Sequence, residues 1–179
     1  MLAIDMQKIT KRFPGVLAND QVDLQVTEQQ IHCLLGENGC GKSTLMNVLF
    51  GLYQPDGGEV CIREQKVRIS NPNDAYQLGI GMVHQHFMLV NQMTVLENII
   101  LGNECGSFLL DRKASRRKVL DLVTEFGFKL DLDDRVADLS VGMKQRVEIV
   151  KTLYRGADII ILDEPTAVLT PQEVGELFK

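Results

Sequence analysis

Long apolar runs are missing from this sequence. No uninterrupted apolar stretch among its 179 residues approaches the ~20 residues of a membrane span. The N-terminus also lacks a charged-then-apolar signal segment. The chain is therefore expected in the cytosol, with any membrane role exercised through a partner. An excess of positive charge is missing too. Nineteen Lys and Arg face 24 Asp and Glu, for a net charge of -5, which argues against a nucleic-acid binder relying on bulk charge. The four cysteines (Cys33, Cys40, Cys61 and Cys105) form no CxxC pair, so a zinc site has no support and free thiols are the default. There is no internal repeat and no low-complexity segment. With 45% hydrophobic residues, the chain suffices for one domain with a real core.

What the sequence does contain is the run Gly36-Glu37-Asn38-Gly39-Cys40-Gly41-Lys42-Ser43-Thr44. It fits the phosphate-binding loop pattern G-x-x-x-x-G-K-[ST]. Its glycines let backbone N–H groups curl around phosphate oxygens without a Cβ in the way. Lys42 would reach the β- and γ-phosphates, and the Ser43 hydroxyl would ligate Mg²⁺. Ile31-His32-Cys33-Leu34-Leu35 before it reads as a buried strand. Residues 43–50 after it read as a helix whose N-terminus attracts an anion. Cys40 sits inside the loop, either as a small residue tolerated there or as a thiol whose alkylation blocks nucleotide binding.

Elsewhere the pattern alternates. Residues 22–26 have the period of a half-buried strand, and 59–63 and 66–70 read as strands after the turn Pro55-Asp56-Gly57-Gly58. Asn71 caps a short helix ending near Gly79, and 80–85 form another strand. Thr94 caps a helix stopped at Gly102. From about 101 to 157 no strand candidate occurs. A helix over 111–126 buries Val119, Leu122, Val123 and Phe126. A second, capped by Ser140, buries Met143, Val147, Val150 and Tyr154 and leaves Lys144, Glu148 and Lys151 on polar faces. This stretch reads as a helical insertion on an α/β core. The domain division expected is 1–86 for the β subdomain and loop core, 87–156 for the helical part, and 157–179 for the last strand and its following loop.

Asp158-Ile159-Ile160-Ile161-Leu162 suits a central parallel strand buried on both faces. It ends at Asp163-Glu164. Two carboxylates at a strand end in a chain that also carries a phosphate loop point to phosphoryl chemistry. Asp163 can hold Mg²⁺ opposite Ser43, and Glu164 can accept a proton from an attacking water. Ser140 and Gly142 sit at a helix start suited to a phosphate, although Ser140 also reads as an ordinary cap. His84 and His86 flank Gln85, but no third metal ligand is evident.

Three motifs now carry a resemblance. Gly36 to Thr44, then Leu139-Ser140-Val141-Gly142-Met143-Lys144-Gln145-Arg146, then Ile159 to Glu164 resemble, in order and spacing, the nucleotide, signature and Asp-Glu motifs of ATP-binding cassette proteins. The resemblance covers essentially the whole chain. It implies an α/β phosphate-loop NTPase core with an N-terminal antiparallel β subdomain and an inserted α-helical subdomain. It also implies that the signature end faces the γ-phosphate held by a second, head-to-tail cassette. By resemblance Gln85 senses Mg²⁺ and the attacking water. Phe13, in Arg12-Phe13-Pro14-Gly15, matches the aromatic that stacks on adenine, or else is a core or turn residue. The segments 79–90, 94–99 and 163–173 resemble bacterial nucleoside and simple-sugar importers, specifically the first cassette of a tandem ATPase. The cofactors implied are ATP and Mg²⁺. The partners implied are a second cassette, transmembrane permease subunits and, indirectly, a solute-binding protein, with no nucleic acid. The implied location is the cytoplasmic face of the bacterial cell membrane.

Departures accompany the match. Val141 and Met143 stand where the commonest signature has Gly and Gln, and Thr170 where many cassettes have Asp. The family places a switch histidine after the catalytic Glu, whereas the last histidine here is His86, so the chain reads as a truncated cassette ending in a helix begun near Pro171. Two other functions remain alongside the import ATPase: a soluble cassette acting on the ribosome or nucleic acid, and a nucleotide-binding fragment without turnover. The five basic residues Arg112, Lys113, Arg116, Arg117 and Lys118 read either as a solvated face or as a contact with a membrane partner or anionic headgroups.

Overall fold

The computed structural model describes residues 1–103 and 111–164. Cys105, Thr170, the segment after Glu164 and the helix expected near Pro171 lie outside them. The chain divides into two compact units, Met1–Ile80 and Gly81–Lys179.

The first unit is built on a long hairpin, β1 (Leu2–Phe13) and β2 (Val16–Thr27). Phe13 pairs with Val16, so the turn has only Pro14 and Gly15. Proline presets the first position and Gly15, at φ 79°, supplies the left-handed second one. Two further strands, β3 (Gly57–Ile62) and β4 (Gln65–Val67), complete an antiparallel sheet of order β2-β1-β3-β4. In β2 the expected alternation holds: Val22, Leu24 and Val26 are half-buried and their neighbours exposed. Helix α1 (Lys42–Leu49) and helix α2 (Pro72–Gln77) complete the unit. Asn71 caps α2 as predicted, its side-chain oxygen accepting from the N–H groups of Asn73 (2.9 Å) and Asp74 (3.3 Å).

The strand expected over 31–35 is not there. The segment has no ladder partner among the described residues, and Ile31 and Leu35 are 74% and 86% exposed. Apolarity favours burial but does not choose a neighbour. Both flanks of β1 are taken by β2 and β3, and the run joins neither outer strand.

In the second unit, β5 (Ile80–Val83) and β6 (Ile159–Leu162) form a two-stranded sheet. All of β5 is buried, but in β6 only Ile161 is. The burial on both faces expected for β6 is therefore absent, because among the described residues it has a single ladder neighbour. Around this sheet run α3 (Val95–Ile100), α4 (Arg112–Glu125), a short 3-10 helix (Val136–Asp138) and α5 (Val141–Tyr154). Among the described residues no strand falls between 101 and 157. Leu96, Ile99, Val119, Val136, Val147, Val150 and Tyr154 are buried in one apolar cluster. The apolar spacing in α4 and α5 predicted most of these contacts. Phe126 differs: it is the C-cap of α4, past the last helical turn, and it is 49% exposed, with its ring stacked on Phe128.

Gly81 marks the tightest packing. A Cβ there would lie 2.2 Å from Thr152 Cγ2 and 2.8 Å from the Ala157 Cβ. Gly81→Ala is expected to destabilise the fold by about 1–3 kcal/mol through overpacking. A melting temperature unchanged from wild type would contradict this.

The basic run is mostly tied down within the unit. Arg112 pairs with Glu97 at 3.2 Å. Arg116 forks onto both Asp133 oxygens at 2.8 and 2.7 Å. Lys118 donates to the Tyr154 carbonyl at 3.0 Å and lies 4.4 Å from the centre of its ring. These ties fasten α4 to its neighbours, a role neither sequence reading contained.

The same contacts set an acid limit. The Thr94 backbone N–H, with lesser help from Arg112, holds Glu97 below the usual carboxylate range. The hydrogen bond from Arg116 does the same for Asp133. A carboxylate whose folded pKa is depressed contributes stability above its unfolded pKa and loses it as pH falls through the folded value. The melting temperature should therefore fall as pH drops from about 5 towards 3, and more steeply in wild type than in Glu97→Gln. Parallel curves would contradict this.

Candidate functional site

The phosphate-loop residues lie in the first unit, between β2 and α1. Residues 36–40 are exposed, and Gly41 precedes α1 in the left-handed region at φ 93°. A Cβ on Gly41 would lie 2.3 Å from the Ala18 carbonyl oxygen and 2.8 Å from Asn19 Nδ2, so both its conformation and its space require glycine. Helix α1 differs from α2, α3, α4 and α5. Those four have side-chain caps from Asn71, Thr94, Asp111 and Ser140, whereas α1 has no side-chain cap and no acidic residue in its first turn. Its N-terminal dipole is left for an external anion.

The Lys42 ammonium turns back over the loop. It donates to the Gly36 and Glu37 carbonyls, each at 2.8 Å, and lies 3.8 Å from Cys40 Sγ. Cys40 N–H in turn donates to the Glu37 carbonyl at 3.3 Å. Asn38 and Gly39 form the turn at the tip, Ser43 is exposed, and Thr44 is half-buried in the first turn of α1. A cation held over carbonyls at the mouth of an uncapped helix is available to a polyphosphate by a small side-chain movement.

Phe13 closes β1 and is half-buried. Its ring meets Tyr53 edge-on at 5.3 Å, with the Lys11 ammonium 5.5 Å from its centre. Sequence reasoning missed Asn19. It is 5% exposed, its Nδ2 donates to the Gly41 carbonyl at 3.2 Å, and its Oδ1 has no partner. Asparagine is disfavoured in strands, and its place in β2 was the available signal.

In the second unit Gln85 Nε2 donates to Glu164 Oε2 at 3.0 Å, joining side chains 79 positions apart. Asp163 follows β6, its N–H donating to the Val83 carbonyl at 3.1 Å. Glu164 adopts φ 50°, a left-handed conformation that costs a non-glycine residue about 1–2 kcal/mol. In that conformation its carboxylate meets the Gln85 amide. Ser140 caps α5, its hydroxyl accepting from Met143 N–H at 3.3 Å, and remains exposed, while Gly142 is buried. The cap reading of Ser140 therefore holds in this structure.

Glu148 and Lys151 are misassigned by the amphipathic reading of α5. Glu148 is 6% exposed, not on a polar face. Its Oε1 accepts from the Met88 N–H at 2.6 Å, and Lys151 Nζ donates to the Met88 carbonyl at 3.0 Å. Burial pulls the Lys151 ammonium below the usual lysine range, against the attraction of Glu148, and Arg155 adds to the lowering. A Glu and Lys three apart on a helix look like a surface pair. Only the irregular segment 84–90, with backbone groups to satisfy, explains their burial.

An ABC transporter family profile matches residues 19–167. The chain is 60% identical over 177 residues to the guanosine import ATP-binding protein NupO of Bacillus subtilis, and 55% identical to the nucleoside import ATP-binding protein NupA of Lactococcus lactis. In each case the match takes in 98% of this chain and 35% of the relative. The chain thus spans about a third of the length of the curated relatives it matches. Among solved structures it is similar to the ADP conformation of MJ1267, an ATP-binding cassette of an ABC transporter, with TM-score 0.88, 27% identity, and 99% and 74% of the two chains covered. It is also similar to the dimeric post-hydrolysis state of the cassette MJ0796 bound to ADP and Pi, with TM-score 0.79, 26% identity, and 97% and 79% covered.

Proposed function

Because this chain belongs to the ABC transporter family, we propose that it forms the ATP-binding and ATP-hydrolysing part of an importer for a nucleoside or simple sugar. The observation that carries the reading is the N-terminus of α1, which alone among the described α-helices has no side-chain cap and instead has Lys42 folded over the loop carbonyls. It supports a triphosphate ligand. The names of the relatives support the solute class. The partners are a second cassette, transmembrane permease subunits and a solute-binding protein upstream of them. The site of action is the cytoplasmic face of the membrane. Among the described residues no helix is long and apolar enough to cross a membrane.

The reaction is attack of water on the γ-phosphorus of ATP. Residues 36–44 bind the phosphates through backbone N–H groups, Phe13 stacks on adenine, and Lys42 offsets the charge that builds on the phosphoryl oxygens. Glu164 accepts the proton of the attacking water, and Gln85 fixes the direction of that carboxylate. Mg²⁺, when bound, neutralises charge on the phosphate oxygens. Ser43 Oγ, an Asp163 carboxylate oxygen and the Gln85 amide oxygen are the hard donors that suit it. Gln85 already donates its amide nitrogen to Glu164, which leaves its oxygen for a cation. Ser140 and Gly142 serve the phosphate of a second cassette.

The test is phosphate release by the full-length protein in membranes with its permease partners. ATP hydrolysis that rises when the transported nucleoside or sugar is supplied supports the proposal. A protein that hydrolyses no ATP, or that fractionates with ribosomes, contradicts it.

A further inference from the structure

Segment 84–90 runs without regular structure from β5 towards α3, yet its far end is held at two alternate residues. Buried Asn98 of α3 satisfies both backbone groups of Val90: the Val90 N–H donates to Oδ1 at 2.7 Å, and Nδ2 donates to the Val90 carbonyl at 3.0 Å. Glu148 and Lys151 of α5 do the same for Met88, at 2.6 and 3.0 Å. The pair itself is 3.8 Å apart, with side chains 8% and 13% exposed. Two side-chain clamps at alternate residues thus replace the ladder that a neighbouring strand would supply. A lone amide could satisfy a peptide, as Asn98 shows. At Met88 the task falls instead to a buried ion pair, which is costly to desolvate and stable only in one geometry.

The position of this clamp matters. The tether Gln85-His86-Phe87 lies between Val83, whose carbonyl accepts from Asp163, and clamped Met88. The Gln85 side chain reaches Glu164. The clamp residues belong to the helix that begins at Ser140. We infer that Glu148 and Lys151 are positioning residues, whose charged clamp on the Met88 peptide fixes Gln85 against Glu164 and holds that loop in register with the Ser140 end of α5. The inference rests on the ATPase reading above and adds to it the residues that tie two parts of the site together. Glu148 and Lys151 do not touch substrate; they act through the loop.

The test uses the full-length protein and two measurements. Amide hydrogen exchange without nucleotide examines the clamp itself. In Glu148→Ala the Met88 amide should exchange about tenfold faster or more, with Val90, held by Asn98, within about twofold of wild type. Steady-state ATPase kinetics examine its role. Lys151→Met, and the neutral pair Glu148→Gln with Lys151→Met should Glu148→Ala fail to fold, should lower kcat about 10- to 100-fold with KM for ATP within about twofold, because a misplaced Gln85 slows chemistry while the phosphate loop is intact. Lys151→Arg, which keeps the donor and charge, should recover most of kcat. Unchanged Met88 exchange overturns the clamp. Accelerated exchange with unchanged kcat, or kcat and KM failing together with the melting temperature, overturns the positioning role. A wild-type protein that releases no phosphate overturns the ATPase reading instead, and the exchange data then still decide the clamp.

Discussion

Glu164→Gln in the full-length protein should retain ATP binding and slow phosphate release by about 10²–10⁴-fold, the usual contribution of a placed general base. The amide keeps the volume of the carboxylate and can still accept the hydrogen bond from Gln85 Nε2, which spans 3.0 Å in the wild type. It cannot take the proton of water. The left-handed backbone at Glu164, φ 50°, is a second handle. Glu164→Gly removes the strain along with the carboxylate and should be no less stable than Glu164→Gln, because glycine adopts that conformation freely. Phosphate release that survives Glu164→Gln within a few-fold would assign the base elsewhere.

Lys42→Ala acts earlier, on binding as well as rate. The Lys42 ammonium donates to the Gly36 and Glu37 carbonyls, both at 2.8 Å. A triphosphate bound as proposed would replace these carbonyls with phosphate oxygens, a stronger charge-assisted pairing. Loss of hydrogen bonds to a charged group costs about 1.5–3 kcal/mol, so ATP should bind roughly 10- to 100-fold more weakly. Turnover should fall a further 10²–10³-fold, the range for removing a preorganised electrostatic donor. Isothermal titration and phosphate release separate the two effects. Folding should be unaffected, since Lys42 supports only exposed loop carbonyls. Unchanged ATP affinity would mean that the loop is not the phosphate site.

Local chemistry was the most legible part of the sequence. The caps at Asn71, Thr94 and Ser140, the helices of the second unit and most of their apolar faces follow from short-range patterns that need no knowledge of neighbours. The loop 36–44 and the pair Asp163-Glu164 stand out for the same reason, since each motif is confined to a few consecutive residues. What failed depended on partners distant in sequence. The run 31–35 is apolar enough for a strand but joins no ladder among the described residues. Among the described residues β6 has one neighbour, and only Ile161 of its apolar run is buried. Glu148 and Lys151 lie on the helical wheel where solvent was expected, and they are buried because Met88, some 60 residues away, brings an unsatisfied peptide to them. Asn19 gave only the signal of an asparagine in a strand, because its partner, the Gly41 carbonyl, is distant in sequence.

If residues 36–44 bind the phosphates of ATP, as proposed, nucleotide should shield this loop from solution reagents. Cys40 offers a direct test, because its exposed sulfur lies within that loop, 3.8 Å from the Lys42 ammonium. The measurement is the rate at which a maleimide alkylates Cys40, followed by mass spectrometry on the loop peptide of the full-length protein, with and without Mg·ATP. Cys33, also exposed, serves as the internal reference. ATP at saturation should slow Cys40 labelling by about tenfold or more, alkylation beforehand should block ATP binding, and Lys42→Ala should raise the ATP concentration needed for protection roughly 10- to 100-fold. Equal rates of Cys40 labelling with and without ATP would contradict that proposal.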